Sequence, residues 1–154
     1  MGKEIFTFEI PGHSSRREWV IYVIVATHKV SAQRLLYVGK TGDNRAGCNP
    51  IVSRIGNHFS YNKIHSQLRN KMEEKKFITT DFNYKVFYTT FGAYDVESHQ
   101  KGRKRINELE RELIEIIYKT TKQLLNEPKR IGRKRLLSSS DFDTIKELAD
   151  RVAI

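Results

Sequence analysis

One cysteine, Cys48, stands among the 154 residues, so no disulfide forms within the chain and no cysteine-rich zinc site can be built. No apolar run comes near the roughly 20 residues of a membrane-spanning helix. The opening residues, MGKEIFTFEIPGHSSRREW, hold neither the continuous apolar stretch nor the small-residue cleavage site of a secretory leader. Phe6 stands where a myristoylation signal needs Ser or Thr. Internal repeats and low-complexity tracts are lacking too. These absences predict a soluble protein of a reducing cytoplasm with no membrane partner. A chain of this length supports a single domain with a real core.

What is abundant is positive charge. Lys and Arg number 28 against 18 acidic residues, a formal net charge of +10. Such a surplus attracts polyanions through long-range field and counterion release. One polyanion reading can be tested at once on LLYVGKTGDN, residues 35–44. Its Gly39-Lys40-Thr41 ends like a phosphate-cradling nucleotide loop, which needs another glycine five positions before Gly39. Arg34 stands there, and Leu35, Leu36 and Tyr37 read as strand. ATP or GTP binding through such a loop is excluded.

Alternation of apolar and polar residues in EIFTFEI (4–10), ending at Pro11, predicts an edge or leading strand. EWVIYVIVAT (18–27) is the strongest strand, and LLYVG (35–39) returns beside it as a hairpin. A loop over 40–50 leads through Pro50 into a short helix, 51–59. A charged helix over 63–76 and a strand over 83–91 follow. From Val96 to Leu125 the period becomes helical, with Ile106, Leu109, Leu113, Ile116, Ile117, Thr120 and Leu124 as its buried stripe. A basic break at 126–135 precedes a last helix over 138–154 with a Ser/Asp cap. This order predicts an α+β domain with a small antiparallel sheet, about three-stranded, flanked by helices.

The polar residues on these elements form a combination. Tyr22 and Tyr37 sit on the two hairpin strands, and Lys40 follows Gly39. Arg54 and His58 share one face of the short helix at a four-residue step. Glu110 lies beside the apolar stripe of the long helix, among Glu108, Glu112 and Glu115, with Asn126 beyond the helix end. Val20-Ile21-Tyr22, Tyr37-Val38-Gly39, Arg54-x-x-x-His58, LERELI (109–114) and LLN (124–126), in this order, resemble the GIY-YIG nuclease family. The resemblance covers residues 18–126. Valine replaces the first glycine of the family's first motif, and the long Arg54-to-Glu110 separation implies an insertion, most plausibly 60–82.

The resemblance implies catalytic roles for Tyr22, Tyr37, Lys40, Arg54, His58, Glu110 and Asn126. Tyr22 would be the general base, and its ordinary pKa near 10 would have to be lowered by Lys40, Arg54 or a metal. Glu110 would hold Mg²⁺ (or Mn²⁺), a hard ion that takes few protein ligands. Arg54 would grip phosphate oxygens with its planar cation, Tyr37 and His58 would orient or relay protons, and Asn126 would position. Arg45 in the loop, and Asn62, Lys63, Gln67 and Arg69 in the inserted segment, are residue types that grip phosphates or read base edges. Lys129, Arg130 and Arg133 in PKRIGRKR are candidates for backbone contact. The other histidines, 13, 28, 65 and 99, show no ligand spacing.

The function this implies is metal-dependent hydrolysis of double-stranded DNA. Short flanks and inserted loops look like the family's stand-alone type II restriction endonucleases, for which a homodimer would cut both strands. The alternatives are a phage or mobile-element nuclease of low specificity and a nucleic-acid-binding module without catalysis.

Overall fold

The computed structural model describes residues 2–42, 47–128 and 137–153. Its centre is a three-stranded antiparallel sheet in the order β2-β1-β3. Strands β1 (Glu18–His28), β2 (Arg34–Lys40) and β3 (Phe82–Ala93) match the three sequence strands to within two residues. β1 is buried along nearly its whole length because it is the middle strand and covered on both faces. Its odd-numbered residues Trp19, Ile21, Val23 and Val25 face one layer, and Val20, Tyr22, Ile24 and Ala26 face the other.

Helices α3 (His99–Thr120) and α4 (Ser139–Val152) close the odd face. The stripe Ile106, Leu109, Leu113 and Ile117 is fully buried there, and Ile116 packs against it half-buried. α4 begins with a capping box between Ser138 and Asp141. The Asp141 carboxylate also takes a two-pronged contact from Arg105, with Nη2–Oδ1 at 2.6 Å and Nε–Oδ2 at 3.3 Å, which pins α4 to α3. Helices α1 (Ile51–His58) and α2 (Gln67–Glu74) cover the even face through Ile51, Leu68 and Met72. The result is a layer of helices on each side of the sheet.

Four expectations need correction. Residues 4–10 form no strand: residues 2–11 carry no regular structure, and no strand among the described residues pairs with them. Alternation supplies the pattern of a strand but not a partner for its backbone. The second helix starts at Gln67 rather than 63, because Asn62 organises a turn, its side-chain oxygen accepting from Ile64 N–H and its carbonyl from Ser66 N–H. The long helix stops at Thr120, which is exposed. Leu124 is buried as expected, but in an extended segment that forms a parallel bridge with Leu36.

Trp19 fixes where α3 begins. Its indole leans on Tyr94 and His99 and lies against Gly42 and Gly102, and a Cβ at position 102 would stand 2.5 Å from indole Cζ2. In an exposed helix Gly→Ala gains about 1 kcal/mol. Here overpacking against a rigid ring costs about 1–3 kcal/mol, so the second effect prevails. Gly102→Ala is expected to lower stability in urea denaturation; a more stable variant would show that the indole has room to move.

Candidate active site

The site grows from the register of the sheet. Tyr22 of β1 stands directly opposite Gly39 of β2 and Tyr88 of β3, and all three face the α1/α2 layer. The Tyr22 ring lies over Gly39, where any Cβ would collide with ring carbon Cζ and the phenol oxygen. That is the reason for glycine in Tyr37-Val38-Gly39. Thr41 then continues the pairing, exchanging backbone and hydroxyl bonds with Val20 and Glu18. The Gly39-Lys40-Thr41 stretch is thus strand end and not a phosphate loop.

α1 brings His58 over Tyr22. His58 Nε2 and the Tyr22 hydroxyl are 2.6 Å apart, and neither residue has measurable exposure. On the other ring nitrogen, Nδ1 accepts from the backbone N–H of Leu68 at 3.3 Å. An acceptor at Nδ1 places the neutral imidazole's proton on Nε2, so His58 donates and the Tyr22 oxygen accepts. Tyr37 sets its ring edge-on to the same imidazole, centroids 5.0 Å apart. Arg54, one turn before His58 on α1, hydrogen-bonds the Tyr22 phenol as well.

Electrostatics ties Glu110 to this group. Burial raises the Tyr22 phenol far above its ordinary value; Arg54 pulls it down, and Tyr37 and Glu110 add to the rise. Tyr37 is pushed up to about 12 by burial and then by Glu110, against Arg54. One carboxylate and one guanidinium thus act on both phenols, although α3 comes from the opposite layer. The expected lowering of Tyr22 is reversed in the protein alone, because desolvation outweighs the Arg54 cation.

Lys40 does not join the phenol cluster: it pairs with Ile21 and so takes the α3/α4 face of the sheet, half-buried, with Nζ donating to Gly42 O at 2.9 Å. Asn126 does not join the phenol cluster. Its amide binds the backbone of Val38 on both sides, accepting from N–H at 2.7 Å and donating to C=O at 3.0 Å. It holds the strand that carries Tyr37 and Gly39.

The proposed nucleic-acid contacts divide. Lys63 and Asn62 are exposed, and Gln67 Nε2 bonds Ile64 O. Arg69 is engaged internally: it binds Phe59 O twice, reaches Thr79 and Glu73, and lies over the Tyr61 ring. Arg45, Lys129, Arg130 and Arg133 lie outside the described residues. A pair the sequence reading passed over is Tyr88–His13. The Tyr88 hydroxyl is hydrogen-bonded to His13 Nδ1, beside Tyr22 on the same sheet face. Strand parity points to Tyr88 once the β1–β3 register is known. His13, in a short turn at Gly12–Ser15, carries no signal in the sequence.

As a metal site, the donor set is lean. No cluster of three or more His, Cys, Asp or Glu side chains suited to a metal occurs among the described residues. The half-buried Glu110 carboxylate fits a hard cation that keeps most of its waters and takes one or two carboxylates, and does not fit an all-protein cage. Comparisons with protein-family models, curated proteins and solved structures gave no match to this chain.

The imidazole generates a pH prediction. Burial, and then Arg54, lower His58 to about 4 against an ordinary 6.5, so the folded protein favours the neutral ring. The corresponding stability is complete above pH 6.5 and is lost as pH falls from 6.5 towards 4, on the order of 3 kcal/mol in all. Urea denaturation of wild type against His58→Gln should show their difference shrinking across that window. A difference independent of pH would mean that the ring titrates alike in both states.

Proposed function

We propose that the chain is a divalent-metal-dependent DNA endonuclease of GIY-YIG type, acting on double-stranded DNA as a sequence-specific restriction enzyme. One observation carries this reading: Tyr22, Tyr37 and His58 meet at one place, and the charges of Arg54 and Glu110 both act on the two phenols. Residues matched in chain order gain weight when they also act on one another. The net charge of +10 suits a polyanionic substrate.

Phosphodiester hydrolysis needs an oriented water, charge neutralisation at phosphorus and a route for protons. Arg54 is the permanent cation able to hold two phosphate oxygens. Tyr22 is the candidate base: its phenol would first release its own proton to solvent, and the phenolate would then take the proton of the attacking water. Its oxygen accepts from His58 Nε2–H and from Arg54, and both bonds favour the phenolate form. Tyr37 shields the imidazole edge, Asn126 keeps β2 in place, and Lys40, on the sheet face that α3 covers, would add positive charge on the side of Glu110. Glu110 is the residue that would hold a divalent cation; when bound, the ion would supply Lewis acidity at the phosphate and offset the carboxylate's upward push on both phenols.

A second reading rests on burial. Tyr22 and His58 are both fully enclosed, as packed core residues are, and a binding module without catalysis would keep them so. Plasmid cleavage separates the readings. With Mg²⁺ the wild-type chain is expected to nick and linearise DNA, and EDTA to stop it. Glu110→Ala, Arg54→Ala and Tyr22→Phe should each lose about 100-fold or more in rate, while gel-shift binding persists for the last two. The rate should climb with pH through neutrality as phenolate accumulates, without a limb near 6.5, since His58 is already neutral there. Binding without cutting across varied DNA favours the module; discrete cut ends mark a restriction enzyme, and scattered ends the low-specificity nuclease.

A further inference from the structure

Four of the ten large hydrophobic residues exposed among the described residues lie in the segment before Pro11. Ile5 is 87% exposed, Phe6 81%, Phe8 87% and Ile10 55%. Side chains of this kind are normally covered, and two phenylalanines in one short extended stretch are costly to leave in water. The segment also has the alternation of a strand, so that Phe6, Phe8 and Ile10 would share one face of an added strand. What it lacks is an edge to pair with.

The sheet offers one. β3 is an outer strand, paired to β1 on one side and to no strand on the other among the described residues. Beside that strand lies a groove of about 290 Å³ lined by Phe87, Tyr88 and Thr89 of β3 and by Thr144, Glu147, Leu148 and Arg151 of α4. Its floor carries apolar side chains, and its rim carries one charge of each sign. The segment carries Lys3, Glu4 and Glu9 between its apolar residues, which complements that rim.

We propose that residues 3–10 of one copy add as a strand to the free edge of β3 in a second copy, with Phe6 and Phe8 entering the groove against α4. The exchange is reciprocal and forms a closed dimer. Each phenylalanine brings about 150 Å² or more. Three apolar side chains per segment, given twice, therefore remove on the order of 900 Å² from water. With the acceptor surface added, the total passes the size of about 1,000 Å² below which contacts are seldom specific. The second copy is the fitting occupant because a strand edge and an unpaired strand-like segment occur on the same molecule. A chain carrying both is its own partner by β-augmentation.

The proposal stands apart from the nuclease reading, since it concerns assembly. Sedimentation velocity of the full chain at micromolar concentration should give the dimer mass. Phe6→Asp/Phe8→Asp should sediment as monomer and keep the wild-type far-UV circular dichroism, because both side chains are exposed within their own chain. With Phe8→p-benzoylphenylalanine in a mixture of ¹⁵N-labelled and unlabelled chains, light should join labelled to unlabelled copies at residues 87–89 or 144–151. A monomeric wild type overturns the proposal, as does a dimer that survives the double substitution. Crosslinks that stay within one chain, or fall elsewhere on the second, overturn it too.

Discussion

The hydrogen bond between His58 and Tyr22, made where water does not reach, is the constraint around which the even face of the sheet is organised. A buried phenol and a buried imidazole each carry a desolvation cost of about 1–3 kcal/mol if left unpaired. The two satisfy each other at 2.6 Å, but only under conditions that reach into three elements. Gly39 must lack a side chain so that the Tyr22 ring can lie over β2. α1 must end at His58, and α2 must present the Leu68 N–H to its far nitrogen. The segment 60–82, which lengthens the spacing between Arg54 and Glu110, therefore holds the imidazole's tautomer and is more than a surface ornament. Arg69 serves the same end by tying α2 back to the carbonyl of Phe59, the residue after His58.

That pairing sets up an electrostatic opposition at one oxygen. Burial disfavours phenolate at Tyr22, and Glu110 adds to the penalty; Arg54 works against both. Two donors already aim at the oxygen, so the arrangement is complementary to a negative charge that the resting protein does not carry. Those donors favour the phenolate over the phenol. They are also what makes the resting phenol a weak base. Burial is the largest obstacle to that charge at both phenols, and Glu110 is the carboxylate that adds to it at both.

Three strands and the four main helices were legible in the sequence because each is long, periodic and bounded by a turn or cap. The fully enclosed β1 shows this best: EWVIYVIVAT admits few other conformations, and its two faces follow from parity. The site residues were legible for another reason. Arg54 and His58 at a helical step and tyrosines on adjacent strands are local patterns, and Glu110 emerged from four neighbouring carboxylates only through the resemblance. What the sequence hid depends on register and backbone. Nothing local shows that Tyr88 stands opposite Tyr22, that His13 reaches it, or that Leu68 N–H fixes an imidazole. The sign of the Tyr22 shift was hidden too, since charge can be counted along a chain but desolvation cannot. The failed strand at 4–10 makes the same point: its pattern was right, and its missing partner lies outside what one chain's alternation can say.

The sheet treats its two edges unequally, and this asymmetry links fold to site. Along β2 the edge is closed from within: Leu36 exchanges backbone bonds with Gln123 and Leu125, and the Asn126 amide takes both backbone groups of Val38 as a further strand residue would. An open edge there would invite pairing by foreign strands and let β2 slide. A slip of one residue would turn Tyr37 and Gly39 to the wrong face and put a side chain beneath Tyr22. Asn126 thus acts on the site through register, without touching it. β3 carries no equivalent closure among the described residues, and it bears Tyr88, the third member of the Tyr22 row. The strand nearest the open edge is therefore held by β1, by α4 and by side-chain contacts such as Tyr84 with Met72 and Arg105 with Phe91 O, and whatever covers that edge would steady one wall of the site while leaving the buried His58–Tyr22 pair untouched.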